Sequence, residues 1–364
     1  MRPRHLLAVA LACIACLLPA SACAAVYRWG LGTETATLVA GLNDPILIDA
    51  GNADGYAIEA SGTVKAWGSA KDGALGDGTK ADSEAAVTVH LPAGVKAVSL
   101  GEAERSGFAV TSTGEVYDWG DDKNGDLCQG TQVADVKTPQ RIAGLSGVVA
   151  AQGAKHSVLF LLANGTVDAC GWNDVGQIGL SGVSEAVVPM PVPGLSHIVE
   201  LSVGPRVSAV LTAAGEVLMS GTNQAGQLGL GYGVGREATF TLVPLPGRAS
   251  SVSVGGGSPD SHTLALVAGV PYGWGVDEGG EIGDGSTTSK YTPVVASELT
   301  THDFTALKAS GHSSIGIAGG EVYSWGENLS GELGTGGGQS FSPELADRGA
   351  IEISATARNA LDRH

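Results

Sequence analysis

Residues 153–182 read GAKHSVLFLLANGTVDACGWNDVGQIGLSG, and this stretch decides the fold. HSVLFLLA (156–163) is an apolar run of strand length. Asn164-Gly165 then marks a tight turn, and a second run with alternating character leads to Cys170-Gly171. A loop of the form Gly-x-Ile-Gly follows at Gly176, Ile178 and Gly179. Two short strands, a glycine-bearing turn and a glycine-rich loop make one supersecondary unit that cannot bury its apolar faces alone.

The same phrase recurs along the chain. Trp-Gly stands at Trp29, Trp67, Trp119, Trp274 and Trp325, and two degenerate copies, Cys170-Gly171 and Ser220-Gly221, fill the gap. Successive anchors are 38, 52, 51, 50, 54 and 51 residues apart. Six residues beyond each anchor from Trp67 onward lies Gly73, Gly125, Gly176, Gly226, Gly280 or Gly331. Eight beyond lies Leu75, Leu127, Ile178, Leu228, Ile282 or Leu333. The ninth residue is glycine except at Cys128. Such strict register exceeds what 56 glycines would give by composition. Each copy also carries an earlier apolar strand, such as VKAVSLG (95–101) or IVELSVG (198–204), and no convincing amphipathic helix interrupts them. Many short strands with glycine turns in a repeated array point to an all-β propeller.

The pattern G-x-x-H-S … G-x-V-x-x-W-G-x-N-x-x-G-Q-L-G-x-G resembles the RCC1 repeat, named for the regulator of chromosome condensation. Residues 153–182 carry it, as does SGHSSIGIAGGEVYSWGENLSGELGTG (310–336). The resemblance covers residues 25–364 and implies a single seven-bladed β-propeller of four-stranded antiparallel blades. The first anchor, in AVYRWG (25–30), has no loop behind it. The C-terminal AIEISATARNALDRH (350–364) aligns with the opening of a repeat, Thr356 falling where Gly153 and Gly311 fall. The expectation is that VYRWG pairs with the far terminus and closes the ring, removing an open sheet edge.

Residues 1–24 read as a secretory signal: Arg2 and Arg4 precede an apolar run, Leu6 to Ala20, and Ala20-Ser21-Ala22 and Ala22-Cys23-Ala24 are both cleavage sites of the A-x-A form. This places the mature chain outside the cell, in the periplasm or on the cell surface. Lipidation of Cys23 is an alternative that would anchor it, without a membrane span. Without Arg2 and Arg4, 18 basic residues oppose 37 acidic ones, a net charge of −19. That charge repels phosphate backbones and argues against a nucleic-acid partner, and no Lys/Arg cluster is visible in the sequence. Cys128 and Cys170 either form a disulfide or stand as small buried replacements for the Gly and Trp of the repeat.

No nucleophile elbow, HExxH or zinc spacing is present, and no cofactor, metal or catalytic set is expected. The carboxylates of DWGDDKNGD (118–126) and GVDEGGE (275–281) read as solvated turn charges. His156, His262 and His312 occupy the G-x-x-H-S position, with Val207 there in another copy; they either bond to neighbouring turns or line one face toward a partner. Departures from the repeat put Arg105 in GEAERSGF (101–108) and Tyr232, Arg236 and Phe240 in GYGVGREATF (231–240). Arg and aromatic residues on loops over a rigid scaffold suit protein recognition. The expected function is a secreted, monomeric, non-catalytic protein-binding propeller, an inhibitor or interaction scaffold for an extracellular or cell-surface protein. The alternative that the resemblance implies is guanine-nucleotide exchange on a Ran-like small GTPase, against which the signal segment argues.

Overall fold

The computed structural model describes residues 25–30, 33–50, 53–103, 105–122, 125–130, 135–233, 235–257, 260–329, 331–336, 338–348, 352–355 and 359–363. The signal segment, Cys23 and Thr356 lie outside them. The protein is an all-β propeller of four-stranded antiparallel blades. Six blades are built from consecutive strands. Blade 1 is Pro45–Ala50, Asp54–Glu59, Val64–Gly68 and Ser83–Thr88. Blade 2 is Ala97–Ala103, Ser106–Thr111, Val116–Gly120 and Val136–Arg141. Blade 3 is Val148–Ala154, Ser157–Leu162, Val167–Trp172 and Glu185–Pro191.

Blade 4 is Ile198–Gly204, Val207–Thr212, Val217–Thr222 and Arg236–Leu242. Blade 5 is Ala249–Gly256, Ser261–Val267, Val270–Gly275 and Lys290–Val295. Blade 6 is Phe304–Ala309, Ser313–Ala318, Glu321–Gly326 and Ser340–Arg348. A smaller sheet joins the two ends of the chain, with Thr33–Leu38 and Val26–Gly30 beside Asn359–Arg363 and Glu352–Ala355. Val26 pairs with Arg363 and Gly30 with Asn359.

The burial of each strand follows from its place in the blade. The second strands of blades 1, 2, 4, 5 and 6 are buried at every residue, because neighbouring blades cover both faces. They accordingly read as continuous apolar and small runs. The outermost strands, such as SEAAVT (83–88), alternate between half-buried and exposed residues.

Blade meets blade through a recurrent latch. The anchor indole of one blade lies on the glycine nine residues past the anchor of the preceding blade, and donates its N–H to the carbonyl two residues before that glycine. Trp119 bonds to the Ala74 oxygen at 2.7 Å and Trp325 to the Glu281 oxygen at 2.9 Å. Trp29 reaches the Glu332 oxygen at 2.9 Å, 303 residues away in sequence. A Cβ on Gly76 would stand 2.9 Å from Trp119 Cδ1, and one on Gly334 2.8 Å from Trp29 Cδ1. Both glycines also have positive φ, so no other residue fits without strain. Where the anchor is Ser220, its hydroxyl donates to the Gln177 oxygen at 3.2 Å and takes over the indole's bond. Trp274 lies on Gly229 in the same way but its N–H finds no acceptor among the described residues, and Trp67 has none either, since the short interval after Trp29 carries no glycine loop.

Cys128 and Cys170 take both positions of a latch at once. Cys170 is the anchor of blade 3 and Cys128 the ninth residue after the anchor of blade 2. Their sulfurs meet as a disulfide with the Cα atoms 5.8 Å apart. Cys128 keeps the left-handed backbone of the glycine it replaces, φ 59°. Closing a loop of 42 residues is expected to contribute about 4 kcal/mol. Reduction of the folded protein, or the pair Cys128→Ser with Cys170→Ser, should therefore lower the thermal midpoint, and an unchanged midpoint would show that the bond adds nothing.

Candidate binding rim

A residue that docks a partner must be partly exposed and held in place by its own scaffold. The tight turns joining the first and second strands of the blades provide such positions. All of them lie on one side of the propeller, because the blades repeat the same strand order. Backbone hydrogen bonds fix the equivalence: the residue after each anchor glycine donates its N–H to this turn residue. Asp121 bonds to the Arg105 oxygen, Trp172 to that of His156, Thr222 to that of Arg206, and Glu327 to that of His312. One rim thus presents Arg105, His156, Arg206 and His312 from blades 2, 3, 4 and 6.

Each of these side chains is held by an acid on the loop of the preceding blade. Arg105 stands 3.3 Å from Asp72 and 3.8 Å from its own blade's Asp121. His156 Nδ1 lies 2.8 Å from Asp126 Oδ2, and its ring is tilted on Trp172 at 4.5 Å. Arg206 reaches Asp174 at 2.7 Å. His312 Nδ1 is 3.5 Å from Glu281. That hydrogen bond raises the His312 pKa above the usual imidazole value, against the opposing effect of burial. Burial works against ionisation of Glu281, yet His312 and His262 hold its pKa below the usual range. Arg236 donates to the Asp174 carbonyl oxygen, so Arg206 and Arg236 converge on one residue. Tyr232, 42% exposed, donates its hydroxyl to Glu237 at 2.6 Å.

Two sequence-derived candidates do not reach this rim. His262 pairs with Gly275, as Ser157 does with Gly171 and Ser313 with Gly326. It therefore sits one residue inside the strand, and Ser261 occupies the rim position. The long turn between Gly256 and Ser261 causes the shift. His262 is 1% exposed, and burial pulls its pKa down to about 4. Ser314 donates to the Glu281 oxygen at 2.9 Å, so the neutral imidazole must donate from Nε2 to Ser314 Oγ, 2.8 Å away. By the same register Arg206, not Val207, occupies the rim position in blade 4. Phe240 is the second correction. It is half-buried against Gly179 of blade 3, where a Cβ would stand 2.6 Å from its ring, and it packs on the core.

The turn carboxylates are corrected too: Asp118, Asp121, Asp122, Asp126, Asp277 and Glu281 are buried, not solvated. Three residues past an anchor, a side-chain oxygen accepts the backbone N–H of the apolar plug. Asp122 accepts from Leu127 at 3.1 Å and Asp277 from Ile282 at 2.9 Å. Asn173, Asn223 and Asn328 do the same for Ile178, Leu228 and Leu333. These acids are structural, and among the described residues no group of three His, Cys, Asp or Glu side chains could hold a metal ion. No helix among the described residues is long and apolar enough to cross a membrane.

No protein-family model matches the chain. Its sequence is 27% identical over 282 residues to the ultraviolet-B receptor UVR8 of Arabidopsis thaliana, covering 75% of this chain and 62% of the receptor. The chain therefore spans less than two thirds of that relative's length. Human WBSCR16 has the same fold, with a TM-score of 0.83 at 15% identity over 93% of this chain and 98% of that one. Prp20p of Saccharomyces cerevisiae, a protein with binding properties toward Gsp1p and histones, gives 0.81 at 21% identity over 93% and 91%. The likeness is to RCC1-like propellers. At these identities the solved structures establish the fold, and the chemistry rests on the rim itself.

Proposed function

We propose that the mature chain is a secreted protein-binding module, a seven-bladed ring in which the small terminal sheet is the closing blade. The latch from Trp29 to Gly334 and Glu332 supports the closure, since it repeats the geometry found between Trp119 and Gly76. The rim carries the binding reading. In a chain with 37 acidic and 20 basic residues, Arg105, Lys155, Arg206 and Arg236 gather on one side, three of them anchored by carboxylates or a carbonyl. Basic groups on an acidic protein, held rigid and half-exposed, suit a protein partner better than a polyanion, which the remaining surface repels. The signal-like residues 1–24 support an extracellular or periplasmic site of action, and the Cys128–Cys170 pair fits an oxidising compartment. The module acts as a monomer, inhibiting or scaffolding an extracellular or surface protein.

The experiment is affinity capture by the mature chain from the secreted and surface proteins of its source. Recovery of a specific partner that binds at micromolar concentration or tighter supports the reading. Acceleration of GDP release from a Ran-like GTPase, with no such partner, would replace it by the exchange-factor alternative.

A further inference from the structure

The outer strand of a propeller blade leaves one edge of backbone N–H and C=O groups to solvent, and such an edge recruits a further strand unless it is blocked. The six blades share one register at this edge. Facing the residue before each anchor stand Val87, Gln140, Met190, Thr241, Val294 and Glu344. The residue just before these is Pro139, Pro189, Pro293 or Pro343 in blades 2, 3, 5 and 6. Proline has no N–H to offer, and a strand tolerates it where that group would point away from the ladder. Blade 1 has Ala86 there instead, and its N–H donates to the Ala40 carbonyl at 2.8 Å. The chain leading into blade 1 thus covers that blade's own edge with a length of backbone.

Blade 4 has neither device. Its outer strand, Arg236–Leu242, carries Phe240 at this position. By the shared register the Phe240 N–H points outward as that of Ala86 does, and among the described residues no backbone carbonyl outside the blade accepts it. In blades 2, 3 and 5 the loop of the preceding blade also donates to the outer strand, from Gly78 to Lys137, from Gly130 to Val187 and from Gly231 to Tyr291. Ala238 holds the aligned place in blade 4 and receives no such backbone bond among the described residues. Leu242 presents its backbone to the same edge as Phe240, two residues on. Its side chain is 53% exposed, opposite the half-buried Leu218. The run Thr239 to Leu242 is β-branched, aromatic and apolar, which suits a strand in a larger sheet.

We infer, on the binding reading above, that an extended segment of the protein partner adds to this edge as a fifth strand of blade 4. Phe240 and Leu242 supply the N–H and C=O groups. The segment supplies their complements, with a Val, Ile or Leu side chain beside Leu242 and no proline at its paired positions. Arg236 opens the same strand, so the edge continues the rim. A second copy of the chain suits the edge less well. Each copy carries a net charge of −17, and like charges repel. Two seven-residue edges alone also bury less than the roughly 1,000 Å² of a stable interface.

The test variant is Leu242→Pro. Blade 3 already carries Pro191 at this register, facing Asp168 as Leu242 faces Leu218, so the thermal midpoint should not move. Leu242→Thr copies Thr88 of blade 1, which faces Lys65; it removes the apolar side chain and keeps the N–H. Random heptapeptides displayed on phage are selected on the mature chain, and the affinity of each selected peptide is read by fluorescence anisotropy. Proline-free peptides rich in Val, Ile and Thr are expected. Leu242→Pro should bind them about tenfold more weakly or worse, and Leu242→Thr within about threefold of the wild type. In the wild-type chain the bound peptide should slow amide exchange at Phe240 and Leu242, a readout that needs no variant. A selection that yields no peptide, peptides that Leu242→Pro binds as tightly as the wild type, or equal losses in both variants overturn the inference. A wild-type dimer that Leu242→Pro dissociates makes a second copy the occupant and overturns it too. A captured partner whose affinity Leu242→Pro leaves unchanged overturns it while leaving the module reading in place.

Discussion

Trp29→Ala is expected to lower the thermal midpoint by about 4–7 °C, through a loss of roughly 3–5 kcal/mol. The indole is 1% exposed, packs with Ile315, Ile317 and Val322 of blade 6, and donates to the Glu332 carbonyl. Alanine would leave a cavity where the two ends of the chain meet and would remove the indole's hydrogen bond to the Glu332 carbonyl. The effect should be cooperative, because an opened ring exposes the sides of blades 1 and 6 together. Deleting residues 25–30 should cost more, since Val26–Gly30 also pairs with both Thr33–Leu38 and Asn359–Arg363. A scanning-calorimetry trace for Trp29→Ala that overlays the wild type would mean that the terminal sheet is not part of the cooperative unit.

The second large effect is a dependence on pH. Asp54 is buried in the second strand of blade 1, and burial raises its pKa from 3.8 to about 7. Its Oδ2 lies 3.1 Å from the Tyr56 hydroxyl, which is 2.8 Å from the Ala74 carbonyl. One hydroxyl proton cannot serve both, so tyrosine donates to the carbonyl and a protonated Asp54 donates to tyrosine. Between about pH 4 and pH 7 the folded state holds a proton that the unfolded state has released, so stability falls as pH rises through that window. The full difference approaches about 4 kcal/mol above pH 7.

Burial raises Asp118 in the same direction. Asp54→Asn should therefore raise the midpoint at pH 8 and leave it nearly unchanged at pH 4, the amide N–H replacing the acid proton. A midpoint that Asp54→Asn shifts equally at both values would show that the carboxyl is ionised in the fold. His312 acts more weakly in the same sense, because its raised pKa contributes stability at low pH that is lost as pH rises through it. Glu281, held low, opposes both: its contribution is present above the usual carboxylate pKa and fades as the solution becomes more acidic.

The propeller was legible because glycines and tryptophans hold fixed offsets, and each offset proves to be a contact: anchor, plug and the glycine beneath the next indole. The swap of Trp for Ser220 was legible as degeneracy but not as a hydrogen bond kept by a smaller side chain. The buried acids misled because Asp in a glycine-rich turn ordinarily faces water. The clue was present in Asn173, Asn223 and Asn328, which hold the same place as Asp122 and Asp277 without charge. His262 misled because a local motif was counted from its glycine, whereas strand pairing counts from the partner strand. Of the rim, Arg105, His156 and His312 were legible as single candidates, but their meeting on one side and the part of Arg206 were not. Arg105, Lys155 and Arg206 lie about 50 residues apart in sequence, and only the stacking of blades makes them neighbours.

The rim is the surface on which binding is expected to turn. The decisive measurement is the dissociation constant of the captured partner for the wild-type chain and for the double variant Arg206→Gln, Arg236→Gln. These two guanidinium groups meet at Asp174 and lie outside the blade cores. A loss of about tenfold or more in affinity, with an unchanged thermal midpoint, is the predicted result; an affinity equal to that of the wild type would contradict the assignment of this rim as the binding surface.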